Sequence, residues 1–251
     1  MFRKLRFLIK TDAPLWVIAA SFWLNLTHLA TRRKYDEKLE LFKLEREQLE
    51  LDHDWLTLRL YTWFRVFDRQ NLYARKTLQC LEIGSWQGLS AYFLLGELPN
   101  AELTCVDTWE GADEHKFAFA AGEPLPSNVE TIFDSNLSAF GSRLRKYKGT
   151  SFSYFENTFA PNTFDFIYVD GSHHSDDVIV DAIKGFEMLK VGGVMIFDDY
   201  FWRFYKRKID NPAGALNAFL RMKKHQLQII GFDYQLVVKK TQNSVRYTGG
   251  D

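Results

Sequence analysis

The stretch TLQCLEIGSWQGLS, residues 77–90, decides how the chain is read. An apolar run ends in an acid, Glu82. Glycines follow at 84 and 88, and GLSAYFLLGEL then has helical character. Glycine allows a tight turn and a close approach of backbone to a ligand, and the following helix points its free N–H groups at that ligand. Strand, glycine turn and helix in this order form the first unit of an open α/β sheet.

Downstream the same alternation repeats. ELTCVD reads as a strand and SNVETIFDSNLSAF as a helix; RLRKYKG is a short strand. FDFIYVD is a strand followed by the helix DDVIVDAIKGFEMLK, and VGGVMIFDD is a strand followed by the helix AGALNAFLRMKKH. LQIIGFDYQLVVKK reads as two strands joined tightly, an antiparallel hairpin. The expected fold is α/β: a doubly wound, mostly parallel sheet covered on both faces, with an antiparallel C-terminal hairpin.

Upstream lies a helical N-terminal arm, residues 1–75, set against a domain of residues 76–251. From Arg32 to Asp68 there is no Pro or Gly, and Leu39, Phe42, Leu49, Leu56, Leu60, Trp63 and Phe67 form an apolar stripe, so one long helix packed on the main domain is expected. Self-association through it into a homodimer stays open. Residues 13–31 carry no formal charge and are about long enough for a membrane span. Pro14, Asn25, Thr27 and His28 weaken that reading, so a buried or partner-contacting helix is favoured over membrane contact.

Lys+Arg and Asp+Glu are both 32. This balance argues against a nucleic-acid partner, which usually demands a basic excess. Cys80 and Cys105 both sit in apolar strands. Two free buried thiols fit a reducing compartment, and a cytoplasmic location is expected.

In open sheets of this kind, ligands bind beyond the carboxyl ends of the strands. Glu82, Asp107, Asp170 and the pair Asp198–Asp199 all end strands on that rim. Each could be a turn or cap residue, but four together favour a site. The loop EIGSWQG has Ser85 where a dinucleotide fingerprint needs a second glycine, which leaves less room for a pyrophosphate. Asp107, at the end of the next strand, is placed to hold both hydroxyls of a ribose. The ligand should therefore contain a ribose but needs no diphosphate.

The combination CLEIGSWQGLS, CVDTWEG, FDSN, FDFIYVDGSHHSDDV and LKVGGVMIFDDY, with the final hairpin, resembles class I S-adenosylmethionine-dependent methyltransferases. The closest group has a VDGSHH segment and a GGxxxFDDY strand, as in metal-dependent small-molecule O-methyltransferases. The resemblance covers roughly Leu78 to Lys240 and implies a Rossmann-like fold. It implies that Glu82, Gly84, Ser85 and Gly88 form the first cofactor loop. It places Asp107 on the ribose, Thr108 and Trp109 near the adenosine, Ser151 near the adenine, and Asp170 beside the sulfonium. The cofactor carries an ammonium and a sulfonium, which a rim acid such as Glu82 or Asp170 can orient.

Methyl transfer to a hydroxyl needs alignment and removal of a proton. Asp170, Asp198 and Asp199 come from neighbouring strand ends, and hard oxygen ligands at this density suit Mg2+. Related enzymes use acids at these places. His173, three residues after Asp170, is the favoured general base over His174, with Asp199 an alternative if no metal binds. Tyr200, Phe201 and Trp202 either wall an acceptor pocket or pack in the core, and His115 is a candidate for a lid. The expected activity is Mg-assisted O-methylation of a small hydroxylated acceptor, a sugar or secondary metabolite. Two alternatives share the fold: a cephalosporin-hydroxylase-like enzyme, and a non-catalytic scaffold subunit docking through its arm.

Overall fold

A computed structural model of the chain describes residues 2–112 and 128–244. Its centre is one sheet of β1 (Leu78–Ile83), β2 (Ala101–Asp107), β3 (Leu144–Lys148), β4 (Phe164–Val169), β5 (Leu189–Phe197), β6 (Leu227–Phe232) and β7 (Leu236–Lys240). The strand order is β3-β2-β1-β4-β5-β7-β6. The first five strands are parallel, and β7 runs antiparallel to both β5 and β6. The expected mostly parallel sheet and the C-terminal hairpin are both present. The order of connection reverses between β1 and β4, which opens the ligand crevice there.

Period-two alternation explains why the strands read as continuous apolar runs: both faces are buried. Cys80, Phe166, Tyr168 and Ile196 face one core, shared with α4 (Leu60–Arg69), α5 (Leu89–Glu97) and α6 (Val129–Asn136). Leu81, Ile167, Val169 and Met195 face the other, shared with α8 (Ser175–Met188) and α9 (Pro212–Met222). A short helix, α7 (Ser151–Thr158), follows β3. Both cysteines are free and buried.

The single long helix expected from Arg32 to Asp68 is broken. α3 spans Asp36–Glu45, and α4 begins only at Leu60. Residues between them leave the helix because long-range partners claim their polar groups. The Glu50 N–H donates to Asn136 Oδ1 at 3.0 Å and the Asp52 N–H to Gln87 Oε1 at 2.8 Å. Gln87 Nε2 donates back to Asp52 Oδ2 at 2.8 Å. Asp54 accepts the Thr57 N–H at 2.9 Å, starting the next helical turn, and pairs with Arg46 at 2.5 Å. These distant bonds outweigh the local apolar stripe.

Ahead of them, α1 (Phe2–Lys10) buries Phe7 and Leu8. α2 (Leu15–Thr31) lies along the edge strand β6. Asn25, which weakened a membrane-span reading, has a structural job: its Nδ2 donates to Phe232 O at 3.0 Å and Ser21 O at 2.6 Å. Val17 is buried, whereas Leu15, Phe22, Trp23 and Leu26 face outward. Among the described residues no helix is long and apolar enough to cross a membrane.

Candidate active site

The glycine loop leaves β1 at Gly84, whose φ of +84° suits glycine. Space is as decisive as the dihedral, because a Cβ here would lie 2.1 Å from the Asp170 carbonyl oxygen. The loops after β1 and β4 thus meet backbone to backbone, and the Asp170 N–H donates to Ile83 O at 2.8 Å. Gly88, at φ +88°, closes the turn and opens α5, with its N–H donating to Ser85 O at 2.8 Å.

Asp107 braces this loop. Its Oδ2 accepts the N–H groups of Ser85 at 2.7 Å and Trp86 at 2.8 Å, and its Oδ1 accepts that of Trp109 at 2.7 Å. A carboxylate has about four acceptor sites. With three taken by the backbone, one is left for a ligand hydroxyl, not the two expected for a ribose clamp. Trp109 is buried against Phe133, and its Nε1 donates to Trp86 O at 2.9 Å. Thr108 Oγ1 accepts the Glu110 N–H.

Glu82 lies beneath the loop and is only 1% exposed. Burial pushes its carboxyl up to about 7, although the Ser85, Ser90 and Cys105 side chains beside it offset part of the penalty. No protein cation accompanies it among these neighbours. Ser151 is the first residue of α7; burial pushes Asp181 of α8 up to about 7, an effect the nearby Ser151 side chain partly offsets.

The strand-end acids after β4 and β5 converge. His173 Nε2 stands 2.7 Å from Asp199 Oδ2 and 3.9 Å from Asp170 Oδ1. Asp170, His173 and Asp199 offer ligand atoms within 4.8 Å of one another. Burial, then the neighbouring Asp198 and Asp199, pushes Asp170 well above the usual carboxylate range. Burial and Asp199 also raise Asp198. Burial alone would raise Asp199 too, but the hydrogen bond and charge of His173 outweigh it and hold that group low.

Asp198 differs from its neighbours. Its Oδ2 accepts Tyr168 Oη at 2.6 Å and Gln235 Nε2 at 3.0 Å, while Oδ1 accepts the Asp199 N–H at 2.7 Å. Three of its about four acceptor sites are taken within the protein, whereas Asp170, His173 and Asp199 bring ligand atoms within 4.8 Å of one another. The two histidines separate as well. His174 caps α8, its Nδ1 accepting the Asp176 N–H at 3.4 Å.

The aromatic run divides at Asp199, whose φ is +53°. Tyr200 turns into the core, donating to Asn217 Oδ1 at 2.6 Å, and Phe201 packs with Phe7 and Phe232. Trp202 stacks on the His173 ring at 4.6 Å. His115 lies outside the described residues.

Several contributors carry no motif. Tyr168 bridges Asp170 and Asp198, and its position two residues before Asp170 on one strand puts both on the same face. Gln235, in the β6–β7 turn, accepts Trp63 Nε1 at 2.9 Å and so ties α4 to Asp198. Tyr234 and Arg59 act on Asp199, and Arg59 lies over the Tyr234 ring at 3.8 Å. The arm therefore reaches the acid cluster.

These residues fit the groups expected of them. A fully buried acid with no protein cation beside it among the described residues suits a cationic ligand group under the glycine loop. Two carboxylates and an imidazole within 4.8 Å suit a divalent ion with oxygen and nitrogen donors.

Comparison with solved structures agrees on the fold. A protein from Corynebacterium glutamicum superposes with a TM-score of 0.52, at 14% identity over 88% of this chain and 100% of that one. An O-methyltransferase from Bacillus cereus in complex with S-adenosylhomocysteine gives 0.52, at 14% identity over 84% and 97%. The MycE methyltransferase of the mycinamycin pathway, in complex with Mg, S-adenosylhomocysteine and mycinamycin VI, gives 0.51, at 16% over 84% and 56%. Among curated proteins no sequence matches. The span that holds the glycine loop and all the strand-end acids, residues 81–200, matches the model of the family described as a methyltransferase domain.

Proposed function

We propose that the chain is an S-adenosylmethionine-dependent O-methyltransferase that acts on a small hydroxylated acceptor with the help of a divalent ion. The observation that carries this reading is the meeting of Asp170, His173 and Asp199 beside the glycine loop, at the switch point of the sheet. S-adenosylmethionine supplies an electrophilic methyl on a sulfonium, and Mg2+ supplies positive charge that lowers the pKa of a nearby hydroxyl.

The protein's part is alignment and proton transfer. The loop at Gly84–Gly88 and the braced carboxylate of Asp107 form one wall of the crevice. Glu82 answers a positive charge from below. Asp170 and Asp199 would hold the ion, and Asp198 fixes the geometry of their loops through Tyr168 and Gln235. Asp199 holds the Nε2 side of His173, which leaves Nδ1 to take the acceptor's proton, while Trp202 sets the plane of its ring. S-adenosylmethionine, when bound, would supply its methyl to the acceptor oxygen, with the carbon–sulfur electrons left on sulfur. The acidic site suits an uncharged or cationic acceptor.

The test is calorimetric titration of S-adenosylmethionine into the purified chain, with Mg2+ and then with chelator, followed by assay of S-adenosylhomocysteine release with a panel of hydroxylated small molecules. Micromolar one-to-one binding and turnover lost in His173→Ala support the reading. Absence of binding under both conditions overturns it.

A further inference from the structure

The balanced net charge conceals an uneven distribution. Residues 1–34 hold seven basic side chains and one acid, Asp12, so the rest of the chain carries the matching acidic excess. Asp12 pairs with Arg221, Lys4 with Asp233 and Lys34 with Asp68. Arg3, Arg6, Lys10 and Arg33 stay exposed.

The helices that carry these cations have two apolar faces each. On α1, Phe7 and Leu8 are buried, while Phe2, Leu5 and Ile9 are exposed. Spacings of three and four put the exposed three on one stripe, and Arg3, Arg6 and Lys10 fall along one side of it. On α2, Val17 faces the core, and Leu15, Phe22 and Leu26 form an outward stripe with Trp23 at its edge. Leu15 is 85% exposed and Trp23 67%, so the domain covers neither. The two helices share one layer. Lys4 Nζ lies 3.5 Å from Asn25 Oδ1, and both helices rest on the end of β6, through Lys4 to Asp233 and through Asn25 to Phe232. Their free faces therefore both point away from the sheet. A large exposed apolar patch is unusual on a soluble monomer and marks a surface that something covers.

We propose that this two-helix layer is a docking surface for an anionic lipid bilayer and lies in the plane of its headgroups. Charge selects the occupant. Apolar side chains bordered by cations fit a surface whose headgroups are acidic and whose interior is apolar. Arginine and lysine can leave their charged heads among the headgroups while their stems follow the apolar stripe, and tryptophan favours that boundary. The acidic excess of the remaining chain repels the same bilayer, so this face is the one that approaches. A second copy of the chain is a poorer occupant, because a two-fold contact would set the same cations against one another. Among the described residues no helix is long and apolar enough to cross a membrane, so the pair would lie on the bilayer and not span it. Asn25, which counts against a span, faces the sheet and does not oppose contact in the plane.

The experiment sediments the full chain with vesicles of phosphatidylcholine alone, and of phosphatidylcholine and phosphatidylserine in equal parts, at low and high salt. Binding to the mixed vesicles is expected, with pure phosphatidylcholine and high salt each weakening it about tenfold or more. Phe22→Ser combined with Trp23→Ser should weaken it about tenfold or more, and Arg3→Gln and Arg6→Gln by about fivefold each. All four side chains are exposed, so thermal unfolding of these variants should match wild type. Leu44→Ser, at a comparably exposed leucine of α3, should bind as wild type does. No binding to the mixed vesicles, equal binding to both compositions, or binding unchanged in the Phe22/Trp23 double variant overturns the proposal. A monomer–dimer equilibrium in analytical ultracentrifugation that the double variant abolishes, without vesicle binding, also overturns it and assigns the face to a second copy.

Discussion

Tyr168 Oη lies 2.9 Å from Asp170 Oδ2 and 2.6 Å from Asp198 Oδ2, so one phenol joins the acids at the ends of two neighbouring strands. Removing it should leave the fold and loosen the site. Tyr168→Phe is expected to lower turnover by about 10–100-fold, the usual cost of losing a group that orients a metal ligand, and stability by about 1–2 kcal/mol. Steady-state kinetics and urea unfolding on the same preparation check both. Wild-type turnover would mean that the bridge is structural only.

Glu82 gives the stability a pH dependence of definite sign. Its folded pKa of about 7 is above the ordinary value of 4.5, so the folded chain holds a proton that the unfolded chain releases. This contribution is fully present below about 4.5 and is lost as pH rises through about 7. It amounts to at most about 3 kcal/mol. Asp181, also near 7, adds a slope of the same direction. Glu82→Gln should unfold at higher temperature than wild type at pH 8, and the gap should shrink toward pH 5. Under the proposed reading it should also bind S-adenosylmethionine more weakly.

Mg2+ should stabilise the chain by relieving the crowding of Asp170, Asp198 and Asp199. At a hundred times its dissociation constant the gain is about 2.7 kcal/mol. Protons should be released on binding, because Asp170 is pushed far above its usual range without a cation. Thermal scans with Mg2+ and with chelator, in two buffers of different ionisation enthalpy, measure both. Asp170→Asn should abolish the shift.

Gly84→Ala and Gly88→Ala should differ sharply, although both glycines have positive φ. At 84 the new Cβ meets the Asp170 carbonyl at 2.1 Å, whereas at 88 it meets Leu137 Cδ1 at 3.0 Å. Backbone cannot yield as a leucine tip can. Gly84→Ala should cost about 4 kcal/mol or more and Gly88→Ala about 1–3 kcal/mol, read from denaturant midpoints.

The alternation of apolar runs and helical stretches made the sheet legible, because the inner strands bury both faces and the helices that cover them bury one. The strand-end acids were legible for the same reason: topology alone places them on one rim. What local pattern did not reveal was every feature with a distant cause. The helix break at residues 49–56 depends on Gln87 and Asn136, which lie far along the chain. The bond that Gln235 makes to Asp198 comes from a turn with no motif. Tyr200 and Trp202 are two positions apart yet point to core and site, because the chain turns there, with the Trp202 N–H donating to the Asp199 carbonyl at 2.9 Å.

The position of α2 along β6 has a consequence for solubility. Edge strands invite pairing with other chains. At one end of the sheet, β3 carries Arg145, Lys146 and Lys148 in ion pairs with Glu102, Glu130 and Asp134, and such a charged, hydrated edge disfavours pairing. At the other, β6 has no such charges and depends on α2, with Asn25 occupying the Phe232 carbonyl. A chain lacking residues 1–31 would bare that edge and should assemble strand to strand into aggregates. Asn25→Ala should leave the assembly state unchanged but speed aggregation on heating, which light scattering would record.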